Sequence, residues 1–226
     1  MTKLAIVGYG KMGRMIEQLA PSYGFAVAAK VDMSDPIATA EGADVAIEFT
    51  TPHAAPGNLS ALAGMRVSTV CGTTGWFSQL PGVSSEFEKN GTALVWSPNF
   101  SIGVNIFFRL AEETARLMKS HAEYGAWAWE MHHSAKKDAP SGTLLKAVEG
   151  MRAAGYDLPV DVASNRAGSV PGTHEIGFDS AADTITLRHT ARSREGFARG
   201  ALEAARWIHG KPAGVHEFSE VLFGRK

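Results

Sequence analysis

Residues 3–14 read KLAIVGYGKMGR, an apolar run that breaks into glycines at Gly8, Gly10 and Gly13. The unbroken stretch from Leu4 to Val7 predicts a strand buried on both faces of a parallel sheet. Met15, Ile16 and Leu19 then recur at helical spacing until Pro21 and Gly24 end the run. A second apolar run, Phe25 to Val31, closes on Asp32. Strand, Gly-x-Gly-x-x-Gly, helix, strand and acid, in that order, predict a dinucleotide-binding unit. Gly8 permits the tight turn, Gly10 lets a pyrophosphate approach the backbone, and Gly13 lets the helix pack closely while its N-terminus attracts the anion. Gly8, Gly10, Lys11, Met12 and Gly13 are therefore candidate cofactor contacts. Asp32, about 20 residues on, is the expected acceptor for the adenine ribose hydroxyls. A carboxylate there repels a 2′-phosphate and so favours NADH. Lys11 and Arg14 lie close enough in sequence to offset that repulsion in part, which leaves NADPH open as a second donor.

The alternation continues outward from this unit. Ala43 to Phe49, Arg66 to Cys71 and Ala93 to Trp96 read as further parallel strands. They end in TTPHAA, GTTG and SPNFSIGVN, and the carboxyl ends of strands line the ligand crevice of open α/β sheets. Thr50, Thr51 and Pro52, then Gly72, Thr73, Thr74 and Gly75, then Pro98, Asn99 and Phe100 are the candidates to face the nicotinamide half. His53 reads as surface.

The totals agree with a soluble globular protein. In 226 residues, 45% are hydrophobic and 20% charged, and the net charge is −1. No global field recruits nucleic acid or an anionic membrane, so any anion site is local. The one cysteine, Cys71, sits in the apolar run VSTVCG and reads as a buried structural thiol in a reducing cytoplasm. No apolar run approaches the length of a membrane span, and no signal peptide is evident.

From Gly103 the pattern changes. VNIFFRLAEETARLMKS predicts a helix with Ile106, Leu110, Ala111, Thr114, Leu117 and Met118 on its periodic face. YGAWAWEMHH then alternates, placing Trp127, Trp129 and Met131 on one face and Ala126, Ala128, Glu130 and His132 on the other. Asp183 to Thr190 alternates likewise. A helix followed by half-buried strands predicts an α+β unit with a mixed or antiparallel sheet. The aromatic face is expected to be core or a subunit interface, because no basic patch accompanies it.

The stretch MHHSAKKDAPSGT, residues 131–143, follows the first of these strands. Its composition suits a metal site, a phosphate loop, a solvated turn or a pocket for an anionic substrate. Metal binding is disfavoured, since neighbouring His132 and His133 diverge at a strand end and no further ligand set is evident. A Walker loop lacks its Gly-x-x-x-x-Gly-Lys order. Ser141 reads as the N-cap of a helix with Leu144, Leu145, Val148 and Met151 on one face. Ser141, Gly142 and Thr143 then present backbone N–H groups to an anion, with Lys136 and Lys137 just before them. A capped helix after a polar loop is the plain alternative.

The stretch from Glu130 to Thr143, EMHHSAKKDAPSGT, resembles the signature of the dihydrodipicolinate (4-hydroxy-tetrahydrodipicolinate) reductase family. VGYGKMGR at Val7–Arg14, EFTTP at Glu48–Pro52, CGTTGW at Cys71–Trp76, SPNFSIGVN at Ser97–Asn105, SNRAGSVPGTH at Ser164–His174 and the tail from His189 to Gly214 follow in family order. The resemblance implies NAD(P)H-dependent reduction of a cyclic dicarboxylate in lysine and diaminopimelate biosynthesis. It implies a Rossmann-like dinucleotide domain of residues 1–102 and 194–226, and a central domain of residues 103–193 for substrate binding and tetramerisation. It further implies His132 or Lys136 as proton donor, with His133, Lys136, Ser141, Gly142 and Thr143 on the substrate carboxylates. The GTTG and PNF loops would bracket the nicotinamide, and Tyr124 and the Trp127/Trp129 face would serve a homotetramer. The chain departs from some relatives at Ser134-Ala135, where they carry more basic residues, and at Met33, where an arginine would follow Asp32. Two rival readings are another Rossmann-fold reductase of an aspartate-related substrate and a non-catalytic dinucleotide sensor.

Overall fold

The structure, a computed structural model, describes residues 1–224. The contacts of the described residues group into two units, one of residues 1–102 and 194–224, the other Gly103–Ser193.

The first unit alternates strands and helices: β1 (Thr2–Val7), α1 (Lys11–Leu19), β2 (Phe25–Val31), β3 (Val45–Glu48), α2 (Ala55–Gly64), β4 (Ser68–Cys71), α3 (Leu80–Lys89) and β5 (Ala93–Trp96). Within the second unit come α4 (Ile102–Met118, which begins on the last residue of the first), β6 (Gly125–His132), α5 (Gly142–Ala153), β7 (Val160–Arg166), β8 (Thr173–Asp179) and β9 (Thr184–Thr190). The chain then returns to the first unit with α6 (Glu195–Ile208), β10 (Gly214–Glu217) and α7 (Phe218–Phe223).

All six strands of the first unit are parallel, in the order β10-β5-β4-β3-β1-β2. Strand order reverses around β1, whose neighbours are β2 and β3, and the carboxyl ends at such a switch point form the ligand crevice. Leu4, Ile6, Val45, Ile47, Val70 and Val95 face one core with α1 and the alanine-rich α6, while α2 and α3 pack Leu59, Ala63, Val83 and Phe87 on the other side. Strands covered on both faces need apolar residues at every position, hence the unbroken runs.

The second unit is a four-stranded mixed sheet, β7-β6-β8-β9, in which only the β6–β7 pair is parallel. Its helices cover one face, burying Ala126, Ala128, Ile176 and Phe178 against Phe107, Phe108, Leu144, Ala147 and Met151. The aromatic face of β6 is thus not core within the chain: Trp127, Trp129 and Met131 are half-buried on the side opposite the helices. Trp129 Nε1 donates to Asn165 Oδ1 at 2.6 Å, and the Tyr124 hydroxyl donates to Asp183 Oδ1 at 2.6 Å.

The helix faces also differ from the periodic reading. On α4 the buried stripe is Val104, Phe107, Phe108, Ala111, Ala115 and Met118, whereas Ile106, Leu110 and Leu117 are exposed, Leu117 by 66%. That helix carries apolar residues around most of its circumference, so spacing alone does not select the stripe that meets the sheet. On α5 the buried residues are Leu144, Ala147 and Met151, and Leu145 points outward.

Candidate active site

Gly8 leaves β1 with φ +95°, a left-handed conformation, and a Cβ there would lie 2.0 Å from the Phe49 carbonyl oxygen. A Cβ on Gly13 would lie 2.4 Å from the Gly8 carbonyl oxygen. Only glycine allows β1, the start of α1 and the end of β3 to meet this closely. Gly10, by contrast, has nothing within 4 Å of its would-be Cβ. It is the N-cap of α1 and offers no side chain, so the first N–H groups of that helix remain available to an anion.

These residues open on a cavity of about 430 Å³ lined by Gly10, Lys11, Met12, Phe49, Thr50, Pro52, Gly72, Thr73, Thr74 and Arg194. The wall is tied together from below. Thr50 N–H donates to Thr73 Oγ1 at 2.7 Å, Asn58 Nδ2 donates to Thr50 Oγ1 at 3.3 Å, and Trp76 Nε1 donates to the Thr73 carbonyl at 2.8 Å. The fully buried Glu48 accepts from the Thr50 hydroxyl and from the Cys71 thiol. Burial, and then Glu48, push the Cys71 thiol well above its ordinary value, so this sulfur is not a nucleophile.

Asp32 stands exposed just beyond β2, outside the cavity lining. Its Oδ1 accepts the Met33 N–H at 2.9 Å, and its own N–H donates to Asp35 Oδ2 at 2.9 Å, so two carboxylates gather at this strand end. Pro98 and Asn99 do not line the cavity. Phe100 is buried in the core, edge-on to Phe49 and packed on Phe218, so its ring backs the cavity wall instead of facing it. Arg194, which the sequence reading passed over, does line the cavity.

The second cluster surrounds the end of β6. Alternation puts Glu130 and His132 on the helix-covered face, and the strand register sets His174 of β8 beside Glu130 and Arg166 of β7 beside His132. Glu130 is 0% exposed. Its Oε1 accepts the Ser141 N–H at 2.9 Å and Arg166 Nη2 at 3.0 Å, and its Oε2 accepts the Ser141 hydroxyl. Oε2 also lies 3.6 Å from both His132 Nδ1 and His174 Nε2. Burial pushes the Glu130 pKa up, but the Ser141 groups, Arg166 and His132 together bring it below the ordinary carboxylate value.

Ser141 caps α5 by accepting the Leu144 N–H at 3.2 Å. Its own N–H and hydroxyl, expected to face substrate, are taken by Glu130. The first-turn N–H groups that lack an acceptor within the helix are those of Gly142 and Thr143. In the preceding loop, Lys136 Nζ donates to both carboxylate oxygens of Asp138 at 2.8 Å, while Lys137 is exposed. His133 is partly buried at the start of that loop.

His132 is 7% exposed, and its Nδ1 has no hydrogen-bond partner. A Cβ on Gly172, at φ +152°, would come 3.0 Å from His132 Nε2, so a glycine is needed beneath that ring. Burial lowers the His132 pKa; Glu130 and Asp138 oppose the shift, Lys136 and Arg166 add to it. Burial, with His132 next, brings His174 down to about 4.

The sequence reading found no further ligand set near His132, but the fold brings Glu130 and His174 to it, and the cluster shares parts of two other arrangements. Donor atoms of Glu130, His132 and His174 lie within 4.8 Å of one another, as for a metal. However, Ser141 and the Arg166 cation already occupy the carboxylate. Ser141, His174 and Glu130 also have the residue types of a hydrolase triad, yet serine and acid meet the same ring nitrogen, Nε2, so no relay across the ring exists.

Comparison with known proteins converges on one family. Residues 2–100 match the model of the dihydrodipicolinate reductase N-terminus, and residues 103–222 match that of its C-terminus. A 4-hydroxy-tetrahydrodipicolinate reductase of Christiangramia forsetii is 33% identical over 234 residues, covering 97% of each chain. Another from Methanococcoides burtonii is 36% identical over 194 residues, 79% of this chain and 73% of that one. Among solved structures, a dipicolinate-bound dihydrodipicolinate reductase from Paenisporosarcina sp. TG-14 superposes with a TM-score of 0.82 at 21% identity. It covers 96% of this chain and 97% of that one.

Proposed function

This chain belongs to the dihydrodipicolinate reductase family, oxidoreductases of lysine biosynthesis, and from that membership we propose how its own residues divide the work. The substrate is the dehydrated form of a cyclic 4-hydroxy dicarboxylate, and the product is tetrahydrodipicolinate. When bound, the pyridine nucleotide supplies the hydride. Gly10, Lys11 and the first N–H groups of α1 receive its pyrophosphate, and Thr50, Thr73 and Thr74 form the wall on the nicotinamide side. Asp32 takes the ribose hydroxyls, and the paired carboxylates of Asp32 and Asp35 favour NADH over NADPH.

The observation that carries the substrate reading is the start of α5. With Ser141 bound inward by Glu130, the Gly142 and Thr143 N–H groups are the donors left for a substrate carboxylate. They follow directly on the loop that supplies His133 and Lys136. Ser141 acts through the cap, and His133 and Lys136 take the remaining carboxylate charge. Charge that develops on the ring during reduction is met by the Lys136 ammonium, which also delivers the proton, while His132 orients the ring as a neutral imidazole. The half-buried tryptophan face of the second unit is the proposed contact of a homotetramer. The buried single thiol agrees with a cytoplasmic enzyme, and no described helix is long and apolar enough to cross a membrane.

The direct test follows NADH and NADPH oxidation with substrate generated freshly from pyruvate and aspartate semialdehyde by a synthase. Consumption, faster with NADH, is expected. Tight nucleotide binding without consumption of either would favour the sensor reading.

The proton donor has its own test. Were the His132 imidazolium the donor, kcat/KM would be high only below its pKa, which burial holds under the ordinary 6.5, and would fall as pH rises through that point. A level profile from about pH 5.5 to 8 is expected, and a decline centred below 6.5 would return the donor role to His132.

A further inference from the structure

We propose that Glu130, which nothing in the reaction requires to touch substrate, is the positioning residue that holds the proton source and the anion-binding helix start as one rigid unit. The inference rests on the reductase reading above.

Three further elements, the start of α5, β7 and β8, meet β6 on this carboxylate. Glu130 shares β6 with His132, two residues on, and sets its Oε2 3.6 Å from the imidazole Nδ1. It takes both polar groups of Ser141, which fixes the direction in which α5 starts and therefore where the Gly142 and Thr143 N–H groups point. It pairs with Arg166 at 3.0 Å, and the same guanidinium donates onward to the Asp138 carbonyl. Asp138 in turn holds Lys136 at 2.8 Å. Finally, His174 Nε2 lies 3.6 Å away on β8, with the Ser141 hydroxyl 3.3 Å from the same nitrogen. A line of contacts thus runs from the carboxylate through Arg166 and Asp138 to the Lys136 cation, and a second runs through Ser141 to the α5 N–H groups.

The chemistry asks for a carboxylate at this point. The residue must accept two N–H donors and a hydroxyl at once, and it must balance one guanidinium while itself fully buried. A glutamine offers one oxygen and turns an amide donor toward Ser141 or Arg166. A leucine would leave Arg166 and the Ser141 N–H without partners. Because misplacement of catalytic groups by about 1 Å costs about 10²-fold in rate, loosening this junction should be read in turnover and in substrate affinity together.

The test compares wild type, Glu130→Gln and Glu130→Asp for substrate KM, kcat, dipicolinate affinity and NADH affinity. In Glu130→Gln, kcat/KM is expected to fall about 10- to 100-fold, the range for partners that orient catalytic groups. KM should rise and kcat fall, and dipicolinate binding should weaken with KM. NADH affinity should stay unchanged, since the proposed cofactor cavity belongs to the other unit, and a wild-type melting profile by calorimetry certifies that the unit carrying Glu130 is folded. Glu130→Asp, which keeps the charge with a shorter reach, should recover part of the loss. Glu130→Gln with wild-type KM and kcat would overturn the proposal, as would a variant whose loss of turnover is matched by a lowered melting temperature and is not recovered in Glu130→Asp, because Glu130 would then be a folding residue only. A wild-type chain that binds NADH but never turns over the substrate would instead overturn the reductase reading, and the proposal with it.

Discussion

Replacing Lys136 with alanine is expected to lower kcat/KM for the dicarboxylate by about 10²- to 10⁴-fold, the range for loss of a positioned acid, while Lys137→Ala leaves it unchanged. The two lysines are neighbours in sequence and differ in what holds them. Lys136 is partly buried, and Asp138 grips its ammonium through both oxygens at 2.8 Å, which fixes the cation at one point of the loop. Hydrogen bonding to Lys136, opposed by a little burial, holds the Asp138 carboxyl below its ordinary value. Asp138 is therefore charged wherever the enzyme works, and the pair persists as a directed dipole. Lys137 lies exposed on the loop. Steady-state kinetics on both variants decide the matter, and equal losses would show that the loop contributes only diffuse positive charge.

The contrast between these lysines was legible in the sequence only through family resemblance, since composition treats KK as one patch. The strands of residues 1–102 were legible from the residues themselves, whereas the return of the chain to that unit at Arg194 was legible only through the resemblance. Strands covered on both faces write unbroken apolar runs, and a loop that must admit a phosphate writes glycines at fixed spacing. Where a strand lacks an apolar run, that signal fails. β10 (GVHE), partly buried, and β7 (VDVASNR), largely exposed, lie at sheet edges and went unread, and so did the central β8 (THEIGFD), whose buried positions include the polar Thr173 and His174. The face of α4 was misassigned because Ile106, Leu110 and Leu117 repeat at helical spacing as convincingly as the stripe that is buried.

In the site the same division holds. Lys11, Thr50 and Gly72 sit where strand ends must converge, so strand counting finds them. The role of Glu130 depends on β6, β7, β8 and α5 arriving at one carboxylate, and no local pattern encodes that meeting. A glutamate on the apolar-facing register of an alternating strand was the available signal, because a buried carboxylate needs partners. The burial of the Phe100 ring went unread for a related reason. The turn Ser97–Ser101 hydrogen-bonds to itself, with Ser97 Oγ donating to the Asn99 carbonyl at 2.9 Å and Asn99 Oδ1 accepting the Ser101 N–H at 2.9 Å, and the ring is delivered into the core.

A second large effect is expected from Gly8→Ala. The residue sits at φ +95°, where a side chain costs about 1–3 kcal/mol in backbone strain. Its Cβ would also fall 2.0 Å from the Phe49 carbonyl oxygen and 2.6 Å from the carbonyl carbon, and backbone at a strand end cannot rotate away. Forcing β1 from β3 adds about 1–3 kcal/mol more, as overpacking does. At about 2–4 °C per kcal/mol for a chain of this size, the melting temperature without nucleotide should drop by roughly 5–20 °C. Phe49 and Thr50 also line the cavity proposed for the cofactor, so NADH affinity should fall with it. Gly10→Ala supplies the contrast, because its added methyl meets no protein atom within 4 Å. That variant should melt like wild type and still bind NADH more weakly, the methyl standing where a pyrophosphate approaches the helix start. Calorimetry without nucleotide and NADH titration on the two variants separate strain from occlusion. If Gly8→Ala melted with wild type, the close approach of β1 to β3 would not be what the first glycine of the loop serves.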